Sequence, residues 1–398
     1  MLTAAVALKD QSLNLLRLLL AYSASHRAKL MDYHEPIHRI SSYVDGMFSS
    51  LTSAIGNPHM QISNITFATA IMLGSLEIIS PNAFKATTPI PWQIHLAMAR
   101  NIIERRGIRA QTVDRNDDES YFLTRWFAYL DVLGSLSGGR KDLPLFGGDF
   151  WAEDPMDPEK GNRIDCFFGF TDRCICILAE IASLAKASDE ELTIHRALHD
   201  IDDSDDPFTP SKKIQDKADT IRADLKRSML QPYHGCHHTR RRASTPNPTD
   251  DPSASSTTHA LEITTTNDSY HWAGQIFLSR RVLRLPPKND SIQNCVQIIL
   301  AGLGRIRQAG TAEACMLFPM FIAACEAVEE DDRDRLLERL VSVQDAGLSQ
   351  ARMAVDVVQA VWKRRDEGKG GVGGDEEVGW EDVVKERVDE EWKGFIVC

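Results

Sequence analysis

The sequence predicts an all-α protein, an irregular multi-helix bundle with one long disordered insertion. Apolar residues recur at three- and four-residue steps along most of the chain, and no segment alternates with the two-residue period of a strand. Two stretches rich in polar, proline or glycine residues interrupt this pattern, at 201–268 and 367–378. Hydrophobic residues make up 43% of the 398, which excludes disorder throughout the chain.

The clearest amphipathic helix begins at Tyr121. Its predicted apolar face consists of Phe122, Trp126, Tyr129, Leu133 and Leu136. Thr124 and Asp131 fall on the opposite face, where we expect solvent. Residues 65–79 are apolar nearly all round, with Glu77 as the only formal charge, so this helix should be enclosed by others near the centre of the fold.

The same periodicity predicts further helices on both sides of the insertion and one inside it. They span 5–26, 35–54, 92–106, 168–186, 190–199, 213–229, 270–284, 291–309, 312–328, 332–346, 350–364 and 380–393. Gly347 and Ser349 stand between two of them, as a glycine just past one helix and a serine N-cap of the next. Such a tight turn favours antiparallel neighbours.

The insertion divides the chain into helical halves at 1–200 and 269–398. A polar loop of this kind either links two domains or projects from one continuous body. We favour one domain over residues 1–398, because the family resemblance described below lies on both sides of the loop. The longest apolar stretch near the C-terminal half, 314–324, contains Pro319 and is too short to span a bilayer, so no membrane partner is expected.

Charge and cysteine content limit the classes of function. The formal net charge of −12 repels phosphate backbones, so the chain is not expected to bind DNA on its own. The eight cysteines are scattered, which predicts reduced thiols in an intracellular protein. Cys174 and Cys176 lie two residues apart on a predicted helix and point about 200° apart, so they cannot chelate one metal together.

One acidic motif has the order D-D-x-x-D, formed by Asp202, Asp203 and Asp206. In an all-helical protein this order is similar to the magnesium-diphosphate motif of class I terpene synthases. Such carboxylates must project from a helix wall into a cavity to share magnesium, whereas these lie among Ser and Pro residues of the insertion. The partner sequence at 116–120 lacks its downstream glutamate, which is replaced by Thr124. A solvated acidic loop is the favoured interpretation.

A second candidate comprises metal-binding residue types within five positions, namely His234, Cys236, His237 and His238. Four ligands this close cannot form a tetrahedron without strain, and no C-x-x-C occurs to complete a site. We therefore expect no metal and no cofactor in this chain. Neither a G-x-S-x-G nor a glycine-rich phosphate loop occurs, and Gly302 and Gly304 are expected to serve helix packing.

Two further features have a structural and a functional interpretation. Ser244 follows Arg241 and Arg242 in the order R-R-x-S, which makes it a candidate phosphorylation site, although a solubilising polar tract is the plainer interpretation. Four tryptophans on predicted helices could line a small-molecule pocket, but large aromatics at this spacing are more often core. They are Trp126, Trp272, Trp362 and Trp380.

Six segments in one order resemble the fungal-specific transcription factor domain, the regulatory region of fungal zinc-cluster proteins. They are TFATAIMLGSLEIISP from Thr66, YFLTRWFAYLDVLGSLSGG from Tyr121, GFTDRCICILAEIASLA from Gly169, HWAGQIFLSRRVLRLP from His271, CMLFPMFIAACEA from Cys315 and GWEDVVKERVDEEW from Gly379. The resemblance covers nearly the whole chain except the insertion.

The resemblance implies a compact helical domain without catalytic residues, located in the nucleus and controlling RNA polymerase II transcription. It implies the transcriptional machinery or co-regulator proteins as partners, with a homodimer as a further expectation. DNA would be read by a separate six-cysteine cluster holding two zinc ions, and the spacing of that cluster occurs nowhere in this sequence. We therefore expect a regulatory domain whose DNA-binding module is missing. A small-molecule sensor is the first alternative, and a magnesium-dependent enzyme using the three aspartates is the second.

Overall fold

Helices account for most of the residues that the structure describes, as the apolar periodicity predicts. The structure is a computed structural model, and it describes residues 2–56, 62–80, 92–106, 118–137, 163–165, 167–202, 208–235, 252–368 and 379–386. Within these ranges the only β-type pairing is an isolated antiparallel bridge between Ile164 and Thr171. The prediction of an all-α protein is confirmed.

The helices before the insertion are α1 Leu2–Leu30, α2 Ile37–Val44, α3 Met47–Gly56, α4 Asn64–Ile79, α5 Trp92–Arg106, α6 Asp118–Leu136 and α7 Asp172–Asp202. Those after residue 207 are α8 Lys212–Met229, α9 Pro252–Phe277, α10 Asp290–Leu303, α11 Thr311–Cys315, α12 Leu317–Glu326, α13 Glu330–Asp345, α14 Ser349–Gly368 and α15 Trp380–Glu386. A π-helical turn, Leu278–Val282, continues α9 directly. None of the described helices is long and apolar enough to cross a bilayer.

Helix α4 lies at the centre of the N-terminal half, as its apolar composition predicts. The helix is buried almost throughout and packs against α1, α5 and α6. Ser63 starts it by accepting a hydrogen bond from the amide of Thr66 at 3.1 Å. At Gly74 an added Cβ would lie 3.4 Å from the Cβ of His95, so the missing side chain lets α4 and α5 approach closely.

Helix α6 differs from the prediction in which of its faces is buried. Thr124 and Asp131, predicted to face solvent, are completely buried, while Phe122 is 43% exposed. The reason is that α6 packs against α4 and α5 on one side and α7 on another, so little of its circumference remains for solvent. Asp131 is tolerated inside because the Arg100 guanidinium lies 3.6 Å from its carboxylate.

Within the predicted insertion at 201–268, the described residues include two helices. Helix α8 occupies 212–229, where a helix was predicted, and it buries Ile214, Ala218, Ile221 and Leu225. Helix α9 begins at Pro252, well before the predicted start at 270. Its polar residues are buried because their side chains bond back to the helix: Thr266 Oγ1 donates to the Glu262 carbonyl and Ser269 Oγ to the Thr265 carbonyl. Polar composition therefore did not mean exposure to solvent.

Several helix boundaries also differ in detail. Residues 35–54 form two helices because Gly46 adopts φ +73, and 168–199 form one continuous helix from Asp172 rather than two. Gly347 follows α13 with φ +89, which confirms its role in ending that helix, although α14 begins at Ser349 itself. The buried side chains of both halves belong to one connected cluster extending from Leu18 to Val383.

Candidate functional site

A group of largely buried charges lies where the π-helical turn meets α7, α12, α14 and α15. We call it the arginine cluster. Its members are Arg280, Arg281, Arg284 and Arg365 with the acids Asp189, Glu326 and Glu381. These residues come from five elements, so the cluster joins helices that are distant along the chain.

Glu326 is the inner acid of the cluster and is almost completely buried. Its Oε2 lies 2.8 Å from Arg280 Nε and 3.3 Å from Arg365 Nη2. Arg365 also donates to the backbone carbonyl of Cys325, and Arg280 donates to that of Leu285. A buried carboxylate is tolerated only when it is paired and hydrogen-bonded, and two guanidinium groups meet that requirement here.

Arg281 connects the outer acids of the cluster. Its Nε lies 2.6 Å from Glu381 Oε1, and its Nη2 donates to Asp189 Oδ2 at 3.0 Å. Arg284 donates to the other oxygen of Asp189. Burial raises the pKa of Glu381, while the positive charge of Arg281 opposes that rise. Burial also lowers the pKa of Arg284, and repulsion from Arg281 adds to the effect.

The local backbone directs the three neighbouring arginines. The π-helical turn carries Arg280 and Arg281, and Arg284 follows it with φ +57, a conformation that non-glycine residues rarely adopt. The Ser188 hydroxyl of α7 holds the end of the turn by donating to the Val282 carbonyl at 2.9 Å. As a result Arg280 reaches inward to Glu326 while Arg281 reaches towards α15. Strained backbone of this kind is concentrated at functional sites.

Helix α15 packs over the outer part of the cluster. Trp380 is 3% exposed, and its ring meets Phe321 of α12 edge-on at 5.4 Å between centroids. Val383 is buried on the next turn, and α15 also contacts α14. Among the predicted core tryptophans, Trp380 and Trp362 are confirmed as buried, whereas Trp126 and Trp272 are half-buried.

A second polar centre surrounds Arg125 on α6. The guanidinium is buried and lies 3.2 Å from Asp165 and 2.5 Å from Asp172. It also stacks over the ring of Tyr121 at 3.6 Å, and the Tyr121 hydroxyl donates to Asp165 at 2.6 Å. Burial raises the pKa of Tyr121, with the Asp165 charge adding to the shift. These contacts fix α6 against the start of α7.

The residues of the predicted magnesium motif fall largely beyond the described ranges. Asp202 is the last residue of α7, whereas Asp203 and Asp206 lie outside the described residues. Of the predicted metal-binding histidine cluster, His234 follows α8, whereas Cys236, His237 and His238 lie outside the described residues. Ser244 also lies outside. The interpretations of these motifs therefore remain predictions.

Other predicted residues can be placed. Cys174 is fully buried, and Cys176 is half-buried with its thiol donating to the Asp172 carbonyl. Gly302 lets α10 approach α9, because an added Cβ would lie 3.2 Å from Thr265 Cγ2, which confirms its packing role. In the described part of the chain no group of three or more His, Cys, Asp or Glu residues could hold a metal ion.

Sequence reasoning missed the arginine cluster and the Arg125 centre. For the first, the signal was present in the order R-R-x-x-R at 280–284, three arginines within an otherwise apolar segment. Their acidic partners could not be found, because they lie about 40 to 100 residues away along the chain. Both centres connect separate helices through ion pairs.

The fold and these centres define an all-α domain whose buried charges hold distant helices together. The model of the fungal specific transcription factor domain family matches residues 3–395. The chain belongs to this family, which confirms the resemblance found in the sequence. Searches of curated proteins and of solved structures gave no match.

Proposed function

We propose that this chain is the regulatory and interaction domain of a transcription regulator of RNA polymerase II genes in a fungal nucleus. The observation that carries the proposal is the family match over residues 3–395. The domain acts through co-regulator proteins or the transcriptional machinery and has no catalytic role. DNA is recognised by a separate zinc-cluster module, since these 398 residues contain no six-cysteine spacing.

Two features of the chain support the assignment of regulation to this domain and of DNA recognition to a separate module. A net charge of −12 disfavours approach to a phosphate backbone. Buried charges such as Glu326 and Arg125 form ion pairs with residues of other elements, and such pairs fix the positions of those elements. The chain on its own should therefore bind DNA only weakly, without sequence preference and with strong salt dependence.

A reporter experiment tests the proposal. The chain is fused to an unrelated DNA-binding domain and expressed in a fungal cell that carries a matching reporter gene. We expect the fusion to raise or lower transcription of the reporter. A well-expressed nuclear fusion without effect, or nanomolar sequence-specific DNA binding by the unfused chain at physiological salt, contradicts the proposal.

A pair of variants links the effect to the folded domain. Phe127 is fully buried and packs against Phe67 with 5.9 Å between ring centroids, so Phe127→Ala should cost about 3–5 kcal/mol of stability and abolish the effect. The matched control is Leu198→Ala, which removes an apolar side chain that is 58% exposed on α7. The control should behave as the unmodified chain.

A further inference from the structure

Helix α15 is a short helix whose buried residues are close together in the sequence. It spans only Trp380–Glu386, and a helix this short is not stable in water by itself. Its order therefore depends on packing, and the packing residues lie together: Trp380 and Glu381 are each 3% exposed, and Val383 is 4% exposed. The chain between α14 and α15, residues 369–378, contains four glycines.

The surface that α15 covers has one apolar and one cationic position. We call it the α15 groove, formed by Phe321 of α12, Arg281 of the π-helical turn and the adjoining part of α14. Phe321 receives the edge of the Trp380 ring. Arg281 Nε lies 2.6 Å from the Glu381 carboxylate, and Arg281 Nη2 donates a hydrogen bond to Asp189. The two anchors are consecutive in sequence, and each meets a partner of matching chemistry.

Arg281 has a second acidic partner besides Glu381. Asp189 binds it at 3.0 Å, and Asp189 belongs to α7, an element independent of α15. Phe321 belongs to α12, whose residues are all buried. The residues that contact Trp380 and Glu381 thus belong to elements other than α15, and they place an aromatic ring beside a guanidinium. Such a pair recognises an aromatic side chain next to a carboxylate.

We propose that the α15 groove is a peptide-binding site for a Trp–Glu pair at the start of a short helix. In the free chain α15 occupies the groove, and a partner protein that presents the same pair displaces it. A Trp anchor and a buried ion pair are the residue types that dominate binding energy at protein interfaces. The proposal concerns binding by the isolated chain and does not rest on a role in transcription.

Fluorescence anisotropy of a labelled peptide with the sequence of residues 377–386 tests the proposal. The peptide is titrated with the full chain and with the full-length Trp380→Ala variant, in which the competing anchor is gone. A tethered segment competes at an effective concentration near millimolar, so we expect the variant to bind the peptide about 100-fold more tightly than the unmodified chain. Circular dichroism establishes that the variant is folded.

Peptide variants separate recognition from nonspecific association. Trp380→Ala in the peptide should weaken binding at least about 30-fold, and Glu381→Gln about 10-fold. The matched control is Asp382→Asn, because Asp382 is exposed and its side-chain oxygen, which accepts from the Gly379 amide at 3.1 Å, is retained. Because the Asp382 charge also acts on Arg281, that peptide should lose about threefold in affinity, clearly less than the Glu381→Gln peptide.

A second variant covers the case in which Trp380→Ala does not fold. A protease site replaces residues 369–374 of the otherwise unmodified full chain, and the peptide is added before and after cleavage. We expect cleavage to open the groove to the peptide, because α15 then competes only at its own free concentration. Absence of binding to the cleaved chain, or equal binding before and after cleavage, overturns the proposal.

Discussion

At the scale of single residues, two buried titratable groups make the free energy of unfolding depend on pH. Glu77 Oε2 lies 3.8 Å from His95 Nε2 between α4 and α5. Burial raises the pKa of Glu77 to about 8 and lowers the pKa of His95 to about 4. Both side chains are therefore neutral in the folded protein near pH 6, whereas each would be charged to a considerable extent in the unfolded chain.

The signs of the two contributions differ. Because the pKa of Glu77 is raised, its contribution to stability is complete below pH 4.5 and is lost as the pH rises through about 8. Because the pKa of His95 is lowered, its contribution is complete above pH 6.5 and is lost as the pH falls through about 4. Between 4.5 and 6.5 the two slopes largely cancel, and above 6.5 only that of Glu77 remains.

We therefore predict that the free energy of unfolding falls by about 2 kcal/mol between pH 6.5 and 8 through Glu77. In Glu77→Gln this fall should be absent, as measured by urea denaturation across that range. Glu104→Gln on the exposed face of α5 is the matched control and should keep the fall. An identical pH profile for Glu77→Gln and the unmodified chain contradicts the assignment.

Arg125 provides a second prediction at this scale. Arg125→Met would leave the carboxylates of Asp165 and Asp172 without their guanidinium partner, so unfolding free energy should fall by about 3–5 kcal/mol. Chemical denaturation monitored by circular dichroism measures the change. Arg163→Met alters an exposed arginine nearby and should cost less than about 0.5 kcal/mol. Equal losses for the two variants would show that Arg125 contributes nothing beyond its aliphatic stem.

At the scale of elements, the approach of α9 to the turn before α7 depends on a glycine in left-handed conformation. Gly169 lies in the turn before α7 with φ +77, and an added Cβ would stand 2.8 Å from Cγ2 of Thr266 on α9. Gly235 has nearly the same backbone, φ +84, and no atom of the described residues lies within 4 Å of an added Cβ. An alanine at Gly235 would therefore introduce backbone strain alone, whereas an alanine at Gly169 would introduce both backbone strain and steric overlap with Thr266.

We predict that Gly235→Ala costs about 1–2 kcal/mol, the strain of a left-handed residue alone. Gly169→Ala should cost clearly more, roughly 3 kcal/mol or above, because α9 would have to shift away from the turn. Thermal or urea unfolding of the two variants gives the comparison. If both alanines cost the same, the turn and α9 do not pack as closely as the structure shows.

At the scale of the whole molecule, the connected core predicts cooperative unfolding. Buried residues from both halves form one cluster, and α7 contacts α8, α9 and the π-helical turn. We expect far-ultraviolet circular dichroism and tryptophan fluorescence to report one coincident transition. Leu73→Ala and Leu340→Ala truncate fully buried side chains in opposite halves. Each should lower the free energy of unfolding by about 2–5 kcal/mol, with the same value from both probes. Separate transitions would show two domains instead.

The sequence by itself determined the fold class, the family and the interior position of α4, because helical periodicity and apolar composition are local properties that neighbouring residues report. It also located α8, whose apolar face repeats regularly. Only the tertiary structure decided which helix faces are covered. The burial of Thr124 and Asp131 follows from helices packed on several sides of α6, which no pattern within α6 records.

The arginine cluster depends on tertiary structure for the same reason. Arg281 meets Asp189 and Glu381, which lie on either side of it along the chain, each more than 90 positions away. The sequence contains all three residues but does not specify their pairing, because pairing depends on which helices meet. The polar start of α9 was likewise misjudged, since hydroxyl side chains that bond to their own helix can be buried without cost to hydrogen bonding. Local composition sets what each helix can bury, and packing decides what it does bury.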